Sequence, residues 1–308
     1  MLRSPTGAAR GPALFLLVAS AAFSTAGPLA RLARPVHPLV VAFGRVAIAA
    51  LLLTAFGPRV VARSFPGLTP RQRAVVLGAG VLLAVHFALF LWGLDRTSLP
   101  AALSLVALEP LSVILWSWAI FGIRPTRPEQ IGVVLATAGA ALIAQGSGSG
   151  EHRLDGDLMV LGAVVLYGLY VAAARGLRDA LPGQAYAAIV YTSAAVALAV
   201  SLPFAPGALE SAWPLPSQAA VAIILIALLP TVLGHTSVQW AARKMSPAIV
   251  ALVSPGETLG GIALGAAWLG AIPTPTEILG ALIILSGTTI AIIADKRGTK
   301  TEKPPTGA

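Results

Sequence analysis

The chain has 308 residues, 56% of them hydrophobic and 11% charged, with no cysteine, and a mean hydropathy of +0.84. That composition excludes an ordinary soluble domain, and the missing cysteines exclude disulfides, thiolate metal sites and thiol catalysis. A formal charge of +9 would suggest nucleic acid in a soluble protein, but here the basic residues fall in short gaps between apolar runs, where they orient a membrane protein.

A helix needs about 20 apolar residues to cross the hydrocarbon core. In chain order the sequence offers ten such runs: 11–30, 38–56, 72–92, 99–121 and 128–145, then 158–174, 184–204, 218–240, 247–268 and 275–294. The distribution of positive charge tests this count. Sixteen of the 21 Lys and Arg residues fall at the termini and in the even-numbered gaps, and only Arg31, Arg34, Arg96 and Arg153 in the odd-numbered ones. The excess predicts that both termini are cytoplasmic.

The two halves repeat one another. Pro100 and Pro247 align at an offset of 147, and Glu129, Gly132 and Gly139 align with Glu277, Gly280 and Gly287 at an offset of 148. Five helices per half is an odd number, so the halves enter the membrane in opposite directions, as in secondary transporters built from inverted repeats. The expected organisation is a first repeat at 11–145, a linker at 146–156 rich in Gly and Ser, a second repeat at 157–295 and a disordered basic tail at 296–308. The glycines seven apart on one helix face predict close helix packing.

Ionisable residues within the runs are the candidate functional groups, because charge in hydrocarbon is costly. Glu109 beside Pro110, and Glu257 two residues after Pro255, each fall near the middle of a run. Proline removes the hydrogen bond to the carbonyl four residues earlier, so each pair predicts a broken helix with a polar spot that must line a cavity or be buried in protein. The alternative is a packing kink, with the acids paired to Arg45. Arg45 itself could snorkel to the interface, bind a substrate carboxylate, or pair with Glu109. His86 and His235 take near-equivalent places in the two halves and could relay protons or serve as structural donors. Tyr191 and Trp240, with Tyr167, Tyr170, Trp92 and Trp116, could form cavity walls or interfacial belts. There is no metal-ligand spacing, phosphate cradle or nucleophile set. The chain therefore reads as a transporter driven by a gradient, with no catalytic residue, cofactor or metal.

At these residues the chain resembles the drug/metabolite transporter superfamily, specifically the EamA family of bacterial inner-membrane permeases. The resemblance rests on FGRVAIAALLL around Arg45, DRTSLPAALSLVALEPLSVILWSWAIFG around Glu109, EQIGVVLATAGAALIAQG, SPAIVALVSPGETLGGIALGAAWLG around Glu257, and EILGALIILSGTTIAIIA. It implies ten helices in two inverted five-helix repeats and export of amino acids or related metabolites, often coupled to protons. The family's common Gly-Glu pair at the ends of the fourth and ninth helices is absent, because Ile123 follows Gly122 and Ala271 follows Gly270. The partners expected are a small-molecule substrate and the lipid bilayer, with a homodimer left open and no nucleic acid. Rival readings are a sugar-phosphate or nucleotide-sugar exchanger and, more remotely, an intramembrane enzyme or structural membrane protein.

Overall fold

A computed structural model describes residues 10–122, 124–146, 151–175, 177, 180–234, 237–238 and 253–298. Among them the elements are helical: α1 (Arg10–Ser24), α2 (Ala26–Leu32), α3 (Pro38–Phe56), α4 (Pro58–Ser64), α5 (Pro70–Arg96), α6 (Leu99–Val106), α7 (Glu109–Phe121), α8 (Arg127–Gln145), α9 (Leu154–Arg175), α10 (Gly183–Ser201), α11 (Ala208–Ala212), α12 (Ser217–Ile226), a π-helical segment (Ala227–Gly234), α13 (Val253–Leu269) and α14 (Pro275–Gly298). Among the described residues six stretches are long and apolar enough to cross a membrane: Pro38–Phe56, Pro70–Arg96, Leu99–Ile120, Leu154–Val171, Gly183–Phe204 and Ser217–Gly234. Large apolar side chains such as Leu51, Phe56 and Val134 face outward, which suits lipid rather than water.

The run around Glu109 breaks where proline predicts it. Two helices meet there, α6 ending at Val106 and α7 beginning at Glu109 with Pro110 in its first turn. Pro110 has no N–H for the carbonyl of Val106, and the Leu111 N–H turns to Leu108 O at 2.9 Å, away from Ala107. Neither carbonyl is left bare. Ser254 of α13 donates to Val106 O at 3.4 Å, and Thr288 of α14 donates to Ala107 O at 3.1 Å. The freed carbonyls thus fasten the halves of the chain together rather than adding to a polar spot. Pro255 lies in the first turn of α13 as described, and the carbonyl it would free, that of Ala251, lies outside the described residues.

The glycine prediction has a direct counterpart in packing. A Cβ on Gly132 would stand 2.5 Å from the Gly287 carbonyl oxygen, and one on Gly139 would stand 2.7 Å from that of Gly280. Only hydrogen at these positions lets α8 and α14 approach so closely. Both α7 and α13 end on a glycine in the left-handed region, Gly122 at φ 69° and Gly270 at φ 64°, a conformation that costs glycine no Cβ clash.

A polar network gathers the connections at one end of the bundle. Glu151 accepts from Arg31 and from Arg34 Nη1 (3.0 Å), and Arg34 Nε reaches Asp95 at 2.7 Å. Beneath it the buried Asp157 accepts from Thr97 Oγ1 at 2.5 Å and meets His152 Nε2 at 2.8 Å. The expected linker 146–156 is therefore tied down from Glu151 onward and enters α9 at Leu154, sooner than composition suggests. Residues 147–150 lie outside the described set. The expected tail at 296–308 is helical for its first three residues, because α14 runs to Gly298, and from 299 on it too lies outside.

Repeat positions Thr126/Glu129 and Thr274/Glu277 form the same capping arrangement. Glu129 takes the Thr126 N–H at 2.5 Å and Glu277 takes the Thr274 N–H at 2.7 Å. Their surroundings differ. Glu277 is 2% exposed, also accepts from Ser98 Oγ, and has His152 Nδ1 at 3.7 Å, whereas Glu129 keeps partial solvent access.

Candidate functional site

Four of the predicted site residues come together. Arg45 of α3, His86 of α5, Glu109 at the start of α7 and Glu257 of α13 line one cavity that is partly open to solvent. Phe23, Phe87, Phe90 and Tyr167 supply aromatic walls, and Pro230 also lines it. Glu109 opens α7 and Glu257 is the fifth residue of α13, and both keep partial access, as carboxylates lining a cavity should.

Arg45 is 4% exposed, so it does not snorkel to an interface. Its Nε donates to Thr231 Oγ1 at 3.2 Å, and its guanidinium carbon lies 3.9 Å from the centre of the Phe87 ring. Arg45 interacts electrostatically with Glu257, and Glu257 in turn with Glu109. Among the described residues, however, no carboxylate reaches the guanidinium within ion-pair distance. The simple Arg45–Glu109 pair that the sequence leaves open is not formed.

Thr231 and Pro230 are the parts of this arrangement that the sequence reading missed. Pro230 has no N–H for Ile226, and the chain winds as a π-helix from Ala227 to Gly234. Thr231 Oγ1 fills the gap by donating to Ile226 O at 2.8 Å, which leaves its lone pair for Arg45 Nε. Single π turns recur at functional sites because they redirect a side chain without ending the helix. A proline inside the apolar run 218–240 was the available signal.

His86 Nδ1 bonds the Ala163 carbonyl at 2.8 Å. That tether fixes the ring on α9 and leaves Nε2 for the cavity side. The His86 ring stands 5.6 Å from Tyr167, which stands 6.3 Å from Tyr170. Tyr191 is 2% exposed in the apolar core and is not among the lining residues. Trp116 Nε1 donates to Val165 O at 2.9 Å, and Trp92 packs edge-on to His37. His235 and Trp240 lie outside the described residues.

Comparison with known proteins places this geometry in context. Two stretches, residues 11–145 and 154–293, match the EamA-like transporter family. The chain is similar to a protein of Streptantibioticus cattleyicolor described as a probable terminal-alkyne amino-acid exporter, at 27% identity over 253 residues covering 79% of this chain and 80% of that protein. A solved crystal structure shares the fold at a TM-score of 0.64 and 21% identity, over 94% of this chain and 98% of that one.

Proposed function

The chain belongs to the EamA-like transporter family, a multi-pass membrane transporter and not an enzyme, and from that premise we propose that it is a secondary active exporter of amino acids or related small metabolites. A proton or substrate gradient drives it, and access to the central cavity alternates between the two membrane faces. The observation that carries this reading is the convergence of Arg45, His86, Glu109 and Glu257, from both halves of the chain, on one cavity. One guanidinium and two carboxylates sum to a single negative charge when all are ionised, which one proton balances.

The moving parts in this reading are two inverted five-helix repeats, 11–145 and 157–295, with both termini in the cytoplasm of a bacterium and ten membrane crossings. Several features support it. The family matches each half separately. The pairings α5 with α9 and α12 with α2 exchange when the halves are swapped, as do α7 with α9 and α13 with α1, while α3 with α10 and α8 with α14 map onto themselves. Gly132 meets Gly287 while Gly139 meets Gly280, the reciprocal pattern of a two-fold axis. Loops around Arg31, Thr97, Glu151 and Thr274 share one end, which is the outer end in this orientation.

A sugar-phosphate or nucleotide-sugar exchanger fits less well, because among the described lining residues Arg45 stands against two acids that would repel a phosphate dianion. The test is transport of labelled amino acids in proteoliposomes with and without an imposed pH gradient. Wild-type protein should carry out pH-stimulated flux, and Glu109→Gln protein should insert normally but lose that stimulation. Unchanged pH-dependent flux in the variant would sink the coupling role.

A further inference from the structure

Arg45 presents a particular problem. A guanidinium has five N–H donors, and a buried one needs them filled. Thr231 takes Nε, and the Phe87 ring covers one face. Among the described residues no protein acceptor lies within hydrogen-bond distance of the two terminal nitrogens, although Arg45 lines the cavity. That free terminal edge is the half of the fork that matches a carboxylate bidentately. Glu257 lies within electrostatic range of both Arg45 and Glu109, and all three line the one cavity, which thus offers a cation and two acids.

We propose that the cavity reads both ends of a zwitterion: the carboxylate of a neutral amino acid docks on the terminal edge of Arg45, its ammonium docks on Glu257, and Glu109 carries the balancing proton. Thr231 is the positioning residue that aims Arg45, held in place because Pro230 leaves the Ile226 carbonyl to the Thr231 hydroxyl. The aromatic lining from Phe23, Phe90 and Tyr167 receives an uncharged apolar side chain. A second carboxylate on the substrate would meet the acids, and a substrate lacking either head group would leave Arg45 or Glu257 without its partner. Buried polar groups left unpaired are what give a site its discrimination. The inference rests on the amino-acid transport reading above and adds which groups recognise which end.

The test is counterflow of radiolabelled L-norvaline in proteoliposomes, competed by unlabelled norvaline, its methyl ester, 2-hydroxypentanoate and butylamine. These competitors keep the apolar chain and remove one head group or its charge at a time. In the wild type each of the last three should compete at least about tenfold more weakly than norvaline. Thr231→Val should raise the norvaline KM by about tenfold, the scale of one hydrogen bond to a charged group, and narrow the gap between norvaline and its ester. Thr231→Ser, which keeps the hydroxyl, should restore both. Glu257→Gln should narrow the gap between norvaline and 2-hydroxypentanoate instead. Melting curves from intrinsic tryptophan fluorescence separate folding loss from these ratios. If wild-type protein shows counterflow but the ester competes as well as norvaline, or Thr231→Val leaves the ratios unchanged, the recognition scheme is wrong while amino-acid transport stands. If norvaline and the common neutral amino acids all fail to give counterflow, the amino-acid reading falls and takes this scheme with it.

Discussion

Gly132 lies so close to Gly287 that a methyl group on either would meet the backbone of the other, at 2.5 Å from one carbonyl oxygen and 2.6 Å from the other. Backbone cannot step aside as a flexible side chain can. Gly132→Ala should therefore destabilise the protein by about 1–3 kcal/mol, the usual cost of overpacking. Gly78→Ala is the matched control, since a Cβ there meets nothing within 4 Å. Melting in detergent, followed by tryptophan fluorescence, should separate the two variants, and equal melting temperatures would remove the close-packing account.

Thr288→Val tests the repair of the helix break. The Thr288 side chain is fully buried and its hydroxyl supplies a bond to Ala107 O that Leu111 no longer makes. Removing it leaves a carbonyl unsatisfied, at a cost of about 1–3 kcal/mol. Combined with Pro110→Ala the loss should shrink, because an N–H at 110 can rejoin α6 to α7. Strict additivity in this double-mutant cycle would show that the two features are unconnected.

Glu151 makes the stability pH-dependent at the acid end. Its hydrogen bond to Arg31, with Arg34 alongside, holds its carboxyl below the ordinary value of 4.5. A depressed folded-state value stabilises above the unfolded value and is lost as pH falls through the folded one. The Glu151 side chain is 63% exposed, so screening limits the effect to at most about 1 kcal/mol. Wild-type protein should melt slightly above Glu151→Gln at pH 7, and the two curves should merge as the pH drops below 4.5. A gap that stays constant with pH would contradict this.

Pro230→Ala should separate stability from transport. Alanine restores an N–H for Ile226 and lets the π segment relax to an α-helix, which turns Thr231 away from Arg45. Stability should hold or rise, because proline in a helix interior costs about 3 kcal/mol. The KM for a transported amino acid should rise by about tenfold, as one hydrogen bond to a charged group is lost. Unchanged transport would mean that the π turn has no part in setting Arg45.

The legible parts of the protein were those that hydrophobicity makes expensive. Arg45, Glu109 and Glu257 stand out in the sequence because charge among apolar residues demands a reason, and the structure brings all three to one cavity. Gly132 and Gly287 were readable because their spacing selects one helix face. Thr231 was not, since a hydroxyl in an apolar helix carries no hydropathic signal and a π turn is defined by hydrogen bonds alone. His152 was hidden for a different reason. Its neighbours in sequence are the small and polar residues of a loop, while its partners Asp157 and Glu277 reach it from α9 and α14.

Those partners bear on more than stability. The carboxylates of Glu129 and Glu277 close the same box at equivalent ends of α8 and α14, but one does so near water and the other beneath Ser98 and His152. In an alternating cycle two equal halves would give two conformations of equal energy, each occupied half the time. In the alternating cycle proposed above, a conformation that opened the linker end would lose the extra bonds at Glu277, so these would weight the one that keeps them, and every 1.4 kcal/mol of weighting is about a tenfold shift in occupancy. Under that proposal the idle direction would be set by a loop outside the cavity lining, and altering His152 or Ser98 would change how long the transporter waits facing each side without touching what it carries.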